Sequence, residues 1–139
     1  MRLWHQEIID LLPKSQLLAQ WRELNSIFAK EDRHILINYI YEYPKEHLFS
    51  YTCSILQEMR TRSINIRTID KMNLYFSDTD QTAIVEHPFP RHHNDEYFEI
   101  CYFNLKEKFL RGQKDFDRER FEQLENRYKT IQAKKDVVL

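Results

Sequence analysis

The chain has 139 residues, 21 Lys and Arg against 22 Asp and Glu for a net charge of −1, two Cys, four Pro and a single Gly. Folding buries about 69% of the surface of a chain of this mass, enough for one core. The lone glycine, Gly112, leaves no P-loop, no G-x-G-x-x-G fingerprint and no G-x-S-x-G elbow, and it argues against a sheet of tight hairpins.

The first predicted helix spans 13–30. Pro13 suits a first turn, and Leu17, Trp21, Leu24 and Phe28 recur on one helical face. A second helix is expected over 32–41, with Asp32 as N-cap and Ile35, Ile37, Tyr39 and Ile40 along it, until Tyr43-Pro44 breaks it. A third runs over 45–62, carrying Leu48, Tyr51 or Thr52, Ile55 and Met59, with Glu58 and Arg62 spaced for an i,i+4 pair. Residues 63–91 lose the periodicity and read as a long irregular connection through the Asp78-Thr79-Asp80 cluster and Pro88 and Pro90. Asn94 is a plausible N-cap for a fourth helix bearing Tyr97, Ile100 or Cys101, Asn104, Leu105 and Phe109, which Gly112 stops. A fifth, over 115–135, has Phe121, Leu124, Tyr128 and Ile131 on one face. The expectation is a single all-α domain, residues 1–139, of about five helices.

Charged residues make up 31% of the chain, yet they cancel, so no overall basic field announces nucleic acid. Cys53 and Cys101 are far apart, lack a C-x-x-C, and read as reduced thiols packed as small apolar groups. No apolar run approaches the ~20 residues of a membrane span, and the opening residues lack a signal-peptide core. A cytoplasmic protein with no membrane contact is expected.

Chemistry has few candidates. His87, His92 and His93, with Glu86 and Glu96 nearby, resemble metal-ligand material, but two prolines intervene and no second ligand pair sits at zinc-site spacing. No metal is expected there; packing and capping against the following helix is the simpler role. Trp21, Arg22 and Glu23, with Gln16 and Gln20 before them, could be a solvated helix face. They could equally form a base-stacking, charge-stabilising pocket, and spacing leaves both open.

The run Met1-Arg2-Leu3-Trp4-His5, Leu12-Pro13 and Gln16-Leu17-Leu18-Ala19-Gln20-Trp21-Arg22-Glu23-Leu24 resembles the N-terminus of the pyrimidine dimer DNA glycosylase (phage endonuclease V-like) family. The similarity continues through His34 and the helix around Gln57-Glu58-Met59-Arg60-Thr61-Arg62, covering the first half of the chain best. The resemblance implies a monomeric all-α DNA repair enzyme, needing no cofactor, that acts on damaged double-stranded DNA as a glycosylase and abasic-site lyase. In such enzymes the chain's own α-amine attacks C1′ of the damaged nucleotide, an imine forms, and β-elimination cuts the strand. An α-amine is a suitable nucleophile, because at pH 7 roughly 10–17% of it is neutral, against about 0.04% of a lysine.

Carried onto this chain, the resemblance makes Met1 the nucleophile, retained because Arg2 is bulky, and Glu23 the catalytic carboxylate. Arg2, Gln20, Trp21, Arg22, Lys30, Arg33 and His34 become the expected substrate and DNA contacts. Ser26 and Gln16 stand where the family's helix has an arginine and a histidine. Residues 1–34 hold five Lys and Arg against five Asp and Glu, so DNA affinity is expected to be modest. Two other readings compete: a non-catalytic helical binding protein on the same scaffold, and a metal-dependent hydrolase built on His87, His92 and His93.

Overall fold

Helices make the whole architecture of residues 2–137, the part that the computed structural model describes, with side chains through Lys135. We number them α1 (Lys14–Lys30), α2 (Lys45–Thr61), α3 (Asp70–Tyr75), α4 (Asp95–Leu110) and α5 (Arg118–Val137), with two 3-10 segments at Gln6–Leu11 and Asn38–Glu42. Among the described residues there is no strand. The all-α expectation holds.

Prolines set the two helix starts that matter most. Pro13 and Pro44 sit one residue ahead of α1 and α2 in extended backbone, and their carbonyls accept the first helical bonds from Leu17 and His47 at 3.0 Å. From there α1 buries Leu17, Gln20, Leu24, Ile27 and Phe28 against α2 and α3. The 3-10 segment Gln6–Leu11 lies between α2 and α5, and α4 packs on α5. Arg62, just past α2, closes the junction: it bonds Glu58 at 2.7 Å as its spacing predicts, and also the carbonyls of Leu12 (2.7 Å) and Asp10 (3.1 Å).

Two expectations fail for physical reasons. Residues 32–41 do not form an α-helix. Glu31 turns left-handed at φ 50° to end α1, and the Asp32 carbonyl is taken by the Tyr41 hydroxyl at 2.5 Å. The chain then makes a tight turn at 34–37 and the 3-10 segment Asn38–Glu42, because Ile37, Ile40 and Tyr43 recur every third residue, the 3-10 period. The 63–91 connection is irregular, as expected, except for α3, which plants Met72 and the following Phe76 in the core against Phe28.

The helix ends are where one glycine has to suffice. Gly112 (φ 83°) closes α4 in a Schellman motif, with the Gln113 N–H donating to Lys108 O at 3.2 Å and its own N–H to Phe109 O at 3.0 Å. Ser63 (φ 58°) does the same for α2, bonding Arg60, while the Ile64 N–H reaches Met59 O at 2.9 Å. Asn94 caps α4 as expected, its side chain accepting from the Tyr97 N–H at 3.0 Å. Cys101 is buried, and burial pushes its thiol up to about 11; Cys53, expected inside, is exposed because its side of α2 faces solvent.

Candidate active site

The N-terminal segment is fixed by a glutamine. Gln20 lies on the apolar face of α1 and is fully buried. Its Oε1 accepts from the Trp4 N–H at 2.7 Å, and its Nε2 donates to the Arg2 carbonyl at 3.4 Å. Two phenols complete the clamp: Tyr97 donates to Leu3 O at 2.5 Å, and Tyr51 donates to Trp4 O at 2.6 Å. Residues 2–4 are thereby laid across α1 in one conformation. Burial holds the Tyr97 phenol well above its ordinary pKa, with the Arg2 guanidinium pulling the other way. Gln20 therefore presents no surface to a ligand, and its amide is spent on the backbone of the N-terminal segment. Met1 lies outside the described residues.

One turn along α1 from that clamp stands Glu23. Its carboxylate is 15% exposed and its Oε1 lies 3.3 Å from His34 Nε2. The pair joins α1 to the turn at 34–37. Arg33, the neighbouring residue, is exposed and lays its guanidinium over the Tyr41 ring at 4.2 Å.

The opposite flank of α1 borders an open groove of about 690 Å³. At about 100° per residue, Trp21 and Asn25 turn toward it, Glu23 turns away, and Arg22 and Ser26 ride the crest between. Trp21 packs edge-on to Phe28 beneath this groove. The far wall comes from the stretch after α2 and the start of α3, which adds Arg67 and Lys71. With Arg22 and Lys30 these make four cations on the lining against one carboxylate, Asp32. Charge that cancels over the chain is segregated here.

The remaining sequence candidates fall elsewhere. Gln16 exchanges bonds with Gln113, at 2.7 and 3.3 Å, and ties α1 to the α4–α5 turn. The histidine-rich loop is held by tyrosines: Tyr43 OH lies 2.7 Å from His92 Nδ1, and Tyr39 OH 2.5 Å from His93 Nε2. Among the described residues no three His, Cys, Asp or Glu side chains converge as metal ligands. No helix among them is long and apolar enough to cross a membrane. Arg67 and Lys71 escaped sequence reasoning, being single charges in an aperiodic stretch.

Compared with known proteins, residues 1–72 match the model of a family described as pyrimidine dimer DNA glycosylase. No curated protein and no solved structure matches the chain. The matched span contains Gln20 and Tyr51 of the clamp, the Glu23–His34 pair and all four cations of the groove, while Tyr97 lies beyond it.

Proposed function

Because the chain belongs to the pyrimidine dimer DNA glycosylase family, we propose that it cleaves the N-glycosidic bond of one dimerised pyrimidine in duplex DNA and then cuts the strand through an imine on the Met1 α-amine. The neutral amine attacks C1′, and the N-glycosidic bond breaks with its electron pair leaving on the base. Opening of the sugar at C1′–O4′ gives the imine. Loss of a C2′ proton then expels the 3′-phosphate by β-elimination. No cofactor enters any of these steps.

Glu23 is the carboxylate of this reaction. It stabilises positive charge developing at the sugar and relays protons, while His34, 3.3 Å away, fixes its orientation. Arg22, Lys30, Arg67 and Lys71 line the groove on the other flank of α1 and take backbone phosphates, with Arg33 adding a cation next to His34. Flipping the nucleotide out of the stack exposes C1′, at a cost of a few kcal/mol of stacking.

One observation supports this reading above the rest: the Gln20 amide holds the Arg2 carbonyl against α1, three residues before Glu23, so one helix carries both the N-terminal segment and the carboxylate. Borohydride trapping on an abasic-site duplex tests it. Wild type gives a covalent adduct, selective acetylation of the terminal amine abolishes it, and Glu23→Gln lowers glycosylase turnover about 10²–10³-fold while leaving the fold intact. No adduct, or an adduct that survives acetylation, overturns the mechanism.

A further inference from the structure

The turn that carries His34 is built from the wrong residues for a solvent-facing turn. It closes through two backbone bonds, with the N–H groups of Ile37 and Asn38 both donating to His34 O at 2.9 Å. Its two central positions are Ile35 and Leu36, where polar or glycine residues are the rule. Ile35 is 90% exposed and Leu36 41%. The base of the turn is rigid: Ile37 and Ile40 are buried behind it, and His34 is tied to Glu23.

We infer that Ile35, supported by Leu36, is an apolar wedge that enters the base stack of duplex DNA and holds it open beside Glu23. The inference rests on the DNA-repair reading above. Three features distinguish this tip from other exposed aliphatic side chains such as Leu74, Ile84 and Leu110. Its neighbour His34 touches the carboxylate proposed to act on the flipped sugar. Arg33 stands directly before the turn, with Glu31 and Asp32 separating it from Lys30 at the end of α1, so one cation lies next to the apolar tip to meet a phosphate while the tip meets stacked bases. The turn is also already shaped, so insertion orders nothing new. Extruding a nucleotide leaves a gap between base steps, and an aliphatic side chain fills it without competing for hydrogen bonds.

The test is a duplex bearing a stable abasic analogue with 2-aminopurine beside it, mixed with the full chain. Wild type unstacks the reporter and raises its fluorescence. Ile35→Ser, harmless to folding at so exposed a position, lowers the equilibrium constant for opening by about tenfold or more, the factor that 1.4 kcal/mol represents. Ile35→Phe restores opening, Leu110→Ala leaves it unchanged, and the salt dependence of binding stays that of wild type in every variant. Opening that is as full in Ile35→Ser as in wild type overturns the wedge while Glu23-dependent cleavage keeps the enzyme reading. Wild type that neither opens this duplex nor cleaves a second one carrying a natural abasic site or a pyrimidine dimer overturns both. Ile35-dependent binding to phosphatidylglycerol vesicles, with no response on DNA, overturns the wedge in favour of a lipid surface.

Discussion

His93 shows what burying one imidazole does to a small protein. It is 8% exposed and faces His5, His92, Tyr39, Tyr51 and Tyr97. Its Nε2 takes the Tyr39 hydroxyl, and Nδ1 is buried without a partner among the described residues. Burial, helped by the His5 and His92 rings, pushes its pKa from 6.5 down to about 3. The unfolded chain therefore takes up this proton first as pH falls. Stability from the neutral ring is complete above about pH 6.5 and is lost progressively towards pH 3. Buried His5 is lowered in the same direction by burial. Urea denaturation should show the protein about 2 kcal/mol less stable at pH 5 than at pH 7. His93→Gln, which cannot titrate, should flatten that slope by up to one proton. At this scale the sequence was half legible. Trp21, Arg22 and Glu23 stood out by motif, but Gln20 belonged with the core: it lies three residues from Leu17 and four from Leu24, on the buried stripe. Polarity suggested a surface contact, whereas the position on the stripe set its role.

Among the elements, those with a 3.6-residue period were read from sequence within a few residues, and those without it were not. Residues 32–41 carry enough apolar side chains for a helix, but Ile37, Ile40 and Tyr43 follow the 3-10 period, and α3 is too short to show any period. Helix ends depend on single residues, which makes them testable. Asn94 and Gly112 bracket α4 about 27 Å apart along its axis and share no partner. Asn94→Ala removes a side-chain acceptor from the Tyr97 N–H and should destabilise by about 1 kcal/mol. Gly112→Ala meets no atom within 4 Å of the added Cβ, so its cost is purely conformational, about 1 kcal/mol for a left-handed alanine. The two effects should add in the double variant, measured by urea denaturation. A much larger loss for Gly112→Ala would mean that the turn before α5 has to open with it.

For the whole molecule, the instructive quantity is a net charge of −1 on a protein of a DNA repair family. Summed over the chain, it predicts weak attraction to a polyanion, but affinity depends on which charges reach the phosphates. Acidic side chains are placed where they answer other demands. Glu58 holds Arg62 at 2.7 Å, Asp10 holds Arg127 at 2.8 Å, and Asp115 accepts from the Ser15 N–H at 2.7 Å, away from the groove. The groove keeps Arg22, Lys30, Arg67 and Lys71 against Asp32 alone. If these four and Arg33 each neutralise a phosphate, the logarithm of the affinity for duplex DNA should fall with the logarithm of salt at a slope of about −4.5. Arg67→Gln and Lys71→Gln, on the wall contributed from beyond α2, should each reduce that slope by about 0.9 and weaken binding equally on damaged and undamaged duplex. Fluorescence anisotropy over a salt series measures both. Slopes unchanged in these variants would move the DNA off the groove, onto the Glu23 side of α1 alone. A slope near zero in wild type would mean that a neutral chain has not, after all, concentrated its cations to hold a polyanion.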